Sequence, residues 1–345
     1  MDYSKELLRL HSRQIEYLGL EKPINIINPL VSVWVITYQH RNFITDCLAG
    51  ILMQKTNFPI EIVIGDDESS DGTREFCKQY AENNPDKIRL FLRERNQSVV
   101  TLNGKTLYFN GRLTTMSCRG KYIAFCEGDD YWTDPYKLQK QVDFLENNQS
   151  FAICFHNANV FNNKENTFVF QQPGINEDKI YTINDYLKNN PCPTAAVLFK
   201  SEYINSLPEW FSKTPFGDYT LYLYILSKSG KNAYYFKDTM SVYRIHSGGV
   251  HGNAHLSNAG MIKAYKQHLV FWSVIKKYLF VNQYHTEINE TVASDYNLLI
   301  NYLIKDNHRI EALKYNTLYM FHSRFKFLKQ NIRTYLTIVK LLVKL

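Results

Sequence analysis

Between Leu30 and Cys126 the chain alternates short, almost unbroken apolar runs with segments of helical spacing. The runs Leu30–Tyr38, Ile60–Gly65, Ile88–Leu92 and Lys121–Cys126 are rich in Val, Ile and Phe. They carry no in-out alternation, as strands covered on both faces do. Asn42–Gln54, the stretch from Thr73 to about Asn83, and Asn110–Cys118 have helical spacing. Ser70-Asp71-Gly72-Thr73 opens the second of these and Asn84-Pro85 closes it. Strand following helix over about a hundred residues predicts a mostly parallel, doubly wound α/β sheet. Such sheets bind ligands outside the carboxyl ends of their strands. Three polar clusters stand at those ends: Thr37-Tyr38, Asp66-Asp67 and Glu127-Gly128-Asp129-Asp130. Loops far apart in sequence are therefore expected to converge on one crevice.

The remaining chain is patterned differently. Residues 1–28 read as a short amphipathic helix (Leu7, Leu8, Ile15, Leu18) and a linker. From Phe151 to Tyr243 strands and helices mix, with helices expected at Thr182–Leu187 and Asp218–Lys228. From about Ala259 the spacing is helical throughout. The expected division is 1–28, a catalytic domain over 29–255, and a helical appendage over 256–345. The net charge of +7 is not spread evenly. Residues 309–345 hold eight Lys/Arg and one Glu, which is +7, so residues 1–308 are formally neutral. That distribution argues against a nucleic-acid enzyme. The six cysteines form no close pair, and no zinc or redox spacing appears. They are expected to be reduced thiols of a cytoplasmic protein. No secretory leader and no membrane-spanning run are expected.

Clustered carboxylates repel one another and gain nothing from a fold unless a cation or hydrogen-bond donors offset them. Glu127, Asp129 and Asp130 follow a buried strand directly, which favours a cation site over a solvated loop. Oxygen ligands alone suit magnesium or manganese together with phosphate oxygens. Gly128 is expected to permit a tight turn. Asp67 can accept from a base N–H or a ribose hydroxyl, and Tyr38 can stack on a base. Ser70 and Asp71 are better read as helix-capping residues. Thr133 or Asp134, followed by Pro135, is expected to start another helix.

Three linked motifs resemble the family 2 glycosyltransferases of the GT-A fold. They are Val31-Ser32-Val33 through Thr37-Tyr38, Ile64 through Thr73, and Arg119 through Asp130. The resemblance covers roughly residues 30–250. It implies a Rossmann-like, GT-A type nucleotide-binding sheet, with a helical C-terminal appendage beyond it. It also implies a nucleotide-sugar donor, UDP-linked, bound by Thr37, Tyr38, Asp67 and Asp129. Asp130, with Asp129, would hold a divalent manganese or magnesium ion. Arg244 and His246, in a glycine-rich segment after a strand, would reach the diphosphate, and Arg112 or Lys105 could do so too. Asp218, in Phe216-Gly217-Asp218-Tyr219, would be the general base of an inverting transfer, although an acid there also suits plain helix capping. Two departures stand out. Ile36 and Gln39 replace a usual Pro and Asn, and Glu127 replaces the first Asp of the acidic motif.

The implied acceptor is a glycan or a lipid-linked glycan of surface polysaccharide synthesis. The tail 309–345 mixes Leu, Ile, Phe and Tyr with Lys and Arg. It suits either an interfacial helix on anionic lipid or a helix packed on the domain. The first alternative places the protein at the inner face of the cell membrane. A nucleotidyltransferase would want a glycine-rich phosphate loop where Thr37-Tyr38-Gln39-His40-Arg41 stands. A catalytically inactive sugar-binding scaffold would not need Asp129, Asp130 and Asp218.

Overall fold

The computed structural model describes residues 3–17, 19, 28–95, 99–102, 105–204, 207–249, 257–280 and 283–322, with 332, 334–336 and 338–339. It divides into two compact units. The first comprises Met1–Thr182, Pro191–Glu209 and Ile225–Arg244; the second comprises Ile183–Asn190, Trp210–Tyr224 and Ile245–Leu345.

The first unit is built on a mixed sheet. Strands β2 (Val31–Thr37), β3 (Ile60–Asp67), β4 (Ile88–Arg93) and β7 (Tyr122–Phe125) are its parallel part, in the order β4-β3-β2-β7. β1 (Glu16–Tyr17) closes one side antiparallel to β4. Beyond β7 the order continues through β12 (Leu198–Lys200), β9 (Phe151–Asn162), β13 (Asn232–Ile245) and β11 (Lys179–Tyr181). Here β12 runs antiparallel to both β7 and β9, and β11 runs antiparallel to β13. β8 (Tyr131–Trp132) pairs with β13, and β10 (Thr167–Gln172) pairs with β9. A two-stranded ribbon, β5 (Val99–Leu102) with β6 (Lys105–Tyr108), stands apart from the sheet.

Both faces of the parallel part are covered, as its unbroken apolar runs require. Val31, Val33 and Val35 of β2 point to one face with Ile62 and Ile64 of β3. Helices α2 (Ile44–Leu52), α3 (Thr73–Asn83) and α5 (Lys137–Asn147) pack there through Cys47, Leu48, Cys77, Leu138 and Val142. Burying each such side chain contributes about 2 kcal/mol. Trp34 points the other way, toward α4 (Asn110–Ser117), and its indole N–H donates to the Gly111 carbonyl at 3.0 Å. α1 (Tyr3–Arg13) adds Leu7 and Leu10 to a small cluster with Phe109 and Leu113. Leu8 is exposed, Ile15 is exposed beyond the end of α1, and Leu18 lies outside the described residues, so the buried stripe of α1 differs from the expected one.

The alternating apolar residues of Ala233–Phe236 and Thr239–Tyr243 read as two separate strands; the structure joins them in one, β13. The helix expected at Thr133–Pro135 starts at Lys137, and no side chain of its own caps it. Gln54 does that work from the loop after α2: its amide donates to the Asp134 carbonyl at 2.7 Å, and its carbonyl accepts from Leu138 N–H at 3.1 Å.

The second unit is helical. It contains α6 (Ile183–Tyr186), the first turns of α7 (Gly217–Ser229), α8 (Asn258–Tyr278), α9 (His285–Lys305) and α10 (Arg309–His322). Phe271, Trp272, Ile275, Ile288, Leu299, Ile300 and Leu303 are buried. Most of the tail beyond His322, including all six of its Lys and Arg, lies outside the described residues. All six cysteines are free.

Candidate functional site

The acidic turn is an extension of parallel strand pairing. Past the end of β7, Cys126 N–H donates to the Trp34 carbonyl at 3.0 Å, and Gly128 N–H donates to the Ile36 carbonyl at 2.9 Å. That pairing carries Glu127–Asp130 to the carboxyl end of β2, where Asp130 N–H closes the turn onto the Glu127 carbonyl at 3.0 Å. A Cβ at Gly128 would stand 2.8 Å from Thr37 Oγ1 and 2.9 Å from His40 Nδ1. Gly128 lacks the left-handed φ seen at Gly72, so close approach is what demands it, not the expected turn conformation. Thr37 is buried, and its hydroxyl has no partner among the described residues.

Asp130 is fully buried. Its Oδ1 accepts from the backbone N–H of Arg244 at 2.9 Å; its Oδ2 has no partner among the described residues. Burial pushes its carboxyl well above the ordinary range, and the charges of Asp129 and Glu127 push it further. A carboxylate so placed needs a cation or a proton. Oxygens of Glu127, Asp129 and Asp130 lie within 4.8 Å of one another. Oxygen-only donors, an orphaned buried acceptor and uncompensated charge together fit a hard divalent cation.

Arg244 braces this turn. Its Nη1 donates to the Asp129 carbonyl at 3.0 Å, and its Nη2 meets the Asp46 carboxylate. The guanidinium also lies 4.3 Å from the Tyr131 ring centre. The sequence suggests Arg244 as a diphosphate ligand; its side chain here is engaged by Asp46 and by the turn. His40 adds an imidazole, with Nε2 3.8 Å from Asp129 Oδ2.

The β2 and β3 ends are laced together. Gln39 adopts φ 57°, its N–H donates to Ser69 Oγ at 3.0 Å, and its side-chain carbonyl accepts from Ser70 and Asp71 N–H, each at 3.1 Å. The residue that departs from the family pattern is thus the one that joins the two loops. Asp71 accepts from Thr73 N–H at 3.0 Å and Thr73 Oγ1 at 2.6 Å, one residue ahead of the α3 N-cap, which is Gly72 and not Ser70 or Asp71. Asp66 turns inward to Arg74 at 2.6 Å. Asp67 is buried, with Arg95 Nε 3.2 Å from its Oδ2. The Arg95 guanidinium also covers the Tyr38 ring at 3.9 Å. Tyr38, Asp67 and Arg95 thus form a polar, π-faced notch beside the acidic turn.

Arg112 is half-buried in the first turn of α4, in the same unit. The side chain of Lys105 lies outside the described residues. Asp218 and His246 belong to the second unit. Asp218 lies in the first turn of α7 and accepts from the Asn190 amide at 3.2 Å. His246 follows β13, and its Nδ1 accepts from Gly248 N–H at 3.3 Å. Sequence reasoning missed Arg95, His40 and Asp46. His40 sits in the Thr37–Arg41 loop and could have been suspected. Nothing local marks Arg95 or Asp46.

Residues 32–103 match the family model described as Glycosyl transferase family 2. Among curated relatives, the uncharacterized protein Rv1520 of Mycobacterium tuberculosis is 30% identical over 235 residues, which is 65% of this chain and 61% of that one. The chain thus spans less than two thirds of that relative. WfaP of Escherichia coli, named a UDP-Glc:alpha-D-GlcNAc-diphosphoundecaprenol beta-1,3-glucosyltransferase, is 29% identical over 231 residues, 65% of this chain and 80% of WfaP. The fold is shared with the mannosyltransferase PcManGT of Pyrobaculum calidifontis, solved with GDP-Man and Mn2+. The TM-score is 0.50 and the identity 15%, covering 99% of this chain and 94% of that one.

Proposed function

From the family 2 glycosyltransferase domain that the chain carries, we infer that it moves a sugar from a nucleotide-sugar, UDP-linked, to a hydroxyl of a glycan or lipid-linked acceptor. The observation that carries this reading is Asp130: a fully buried carboxylate with an orphaned oxygen, beside two more acids at the carboxyl end of a parallel sheet. Tyr38, Asp67 and Arg95 offer the base a ring face, an acceptor and a cation. Asp129 serves the ribose or the cation, and Asp130 the cation. A divalent ion there would offset negative charge on the departing diphosphate. Arg244 and Asp46 hold the turn that presents these oxygens, and Arg112 and His246 are the reserve donors for phosphate oxygens.

Asp218 is the proposed general base. As the acceptor oxygen bonds to the anomeric carbon, its proton passes to the Asp218 carboxylate. The bond from that carbon to the diphosphate oxygen breaks, and the nucleoside diphosphate leaves with the electron pair. One displacement inverts the anomeric centre. The name of WfaP supports both a UDP-linked donor and a lipid diphosphate acceptor. A lipid-linked acceptor in turn favours a peripheral enzyme at the inner face of the cell membrane. Among the described residues, no helix is long and apolar enough to cross a membrane.

The test is Asp130→Ala. Manganese-dependent binding of a UDP-sugar, read by calorimetry, and its turnover should both be lost, and EDTA should abolish turnover of the wild-type chain. Undiminished turnover in EDTA would exclude the metal role; undiminished turnover in Asp130→Ala would exclude the site.

A further inference from the structure

The basic excess of the protein lies in its second unit. That unit holds fifteen Lys/Arg against seven Asp/Glu, whereas the first holds twenty-five against twenty-six. Part of that charge is organised on one described surface. Tyr278 ends α8, and the Trp210 ring lies parallel to it, with centroids 6.0 Å apart and planes at 7°. Trp210 is held from a second direction by Tyr224, edge to face at 6.3 Å. Lys213 and Lys277 are exposed, with Nζ atoms 5.1 Å and 5.2 Å from the Tyr278 ring centre. Hydrogen bonding from Lys213, then from Lys277, holds the Tyr278 hydroxyl below the ordinary tyrosine range. No carboxylate among the described residues pairs with either lysine. The next residue along, Lys276, donates to Asn289 at 2.8 Å.

Two like charges brought onto one phenol repel each other, and no carboxylate among the described residues offsets them. An anion does so best, and several anionic groups side by side do so better than one. Trp and Tyr with apolar bodies and polar edges, flanked by lysines, have the chemistry that settles at the headgroup level of a bilayer. A soluble anion would use the charges and leave the stacked rings without a role.

We propose that the Trp210–Lys213–Lys277–Tyr278 surface docks this protein on anionic phospholipid headgroups. Lys213 and Lys277 meet phosphates, and Trp210 and Tyr278 rest at the boundary with the acyl chains. These four residues are distinct in sequence from the 309–345 tail, and the proposal does not depend on the identity of the acceptor.

The test is co-sedimentation of the full chain with vesicles of phosphatidylglycerol and phosphatidylcholine in equal parts, against phosphatidylcholine alone. Wild type should bind the anionic vesicles only, and more weakly as salt rises. Lys213→Gln with Lys277→Gln should weaken that binding about thirtyfold, about fivefold per lysine, with an unchanged melting temperature. Trp210→Ala should weaken it further at high salt, where charge is screened. Three results overturn the proposal. One is equal binding to both vesicle types, or to neither. A second is wild-type binding by the double lysine variant together with loss in Arg324→Gln/Lys326→Gln/Lys329→Gln, which moves the contact to the tail. The third is stabilisation by inorganic phosphate that requires both lysines, without vesicle binding, which makes the surface a free-anion site.

Discussion

Asp130 is sealed from solvent, and no cationic side chain among the described residues pairs with it. Burial and two neighbouring acids raise the cost of its charge, and one backbone N–H from Arg244 offsets only part of that. Arg95 is the opposite case, a cation with two obvious uses, on Asp67 and over Tyr38. If that notch holds the base, Arg95→Ala should weaken UDP-sugar binding about tenfold, ~1.4 kcal/mol, by removing a cation from a π face. An unchanged KM for the donor would show that the base lies elsewhere. Tyr38, Asp67, Asp129 and Asp130 were legible in the sequence because each stands at the end of an apolar run. Arg95 was not, because Asp67 and Tyr38 lie 28 and 57 residues away and meet it only through the pairing of β2, β3 and β4. Gly128 was legible as a requirement but not as a cause, since its crowding comes from Thr37 and His40.

Helix α5 shows what one element can hide. Its Lys137 is fully buried, its Nζ 4.1 Å from the Trp132 ring centre and 2.7 Å from Gln141 Oε1, and it makes no ion pair with a carboxylate among the described residues. Burial lowers its pKa from 10.5 to about 7. The unfolded chain keeps that proton to about pH 10.5 and the folded chain releases it near 7, so unfolding takes up a proton between those values. Stability therefore rises with pH across that window, by on the order of a few kcal/mol in all. His156, which burial holds well below its ordinary value, acts with the same sign at lower pH. Lys137→Met keeps the volume and removes the titration. Its melting temperature should change less than that of wild type between pH 6.5 and 9; parallel pH profiles would mean Lys137 does not titrate there. Spacing revealed the helix, but not its start. Gln54, from the loop after α2, decides that by hydrogen bonds no local pattern contains.

For the molecule as a whole, donor binding has a thermodynamic signature. A nucleotide-sugar that binds only the folded chain, at a hundred times its Kd, stabilises it by about 2.7 kcal/mol. A panel of nucleotide-sugars with manganese should therefore contain at least one that raises the melting temperature, with UDP-linked sugars foremost. With two compact units the melt need not be a single transition, and the shift should appear in the transition of the first unit. No shift from any donor would sink the donor-binding reading.

The sequence by itself determined the parallel half of the sheet, the ends where ligand chemistry collects, and the helical character of the C-terminal part. All of these follow from periodicity and from residues within a few positions of each other. Tertiary structure decided the rest. It continued the sheet through β12, β9, β13 and β11, with β12 antiparallel to both its neighbours, and it set Arg244 and Asp46 against the acidic turn. It also gathered lysines and aromatics on Tyr278. The physical reason is range. Propensity and amphipathic period act over one or two turns, whereas burial, charge compensation and side-chain capping depend on which distant segments the chain brings together.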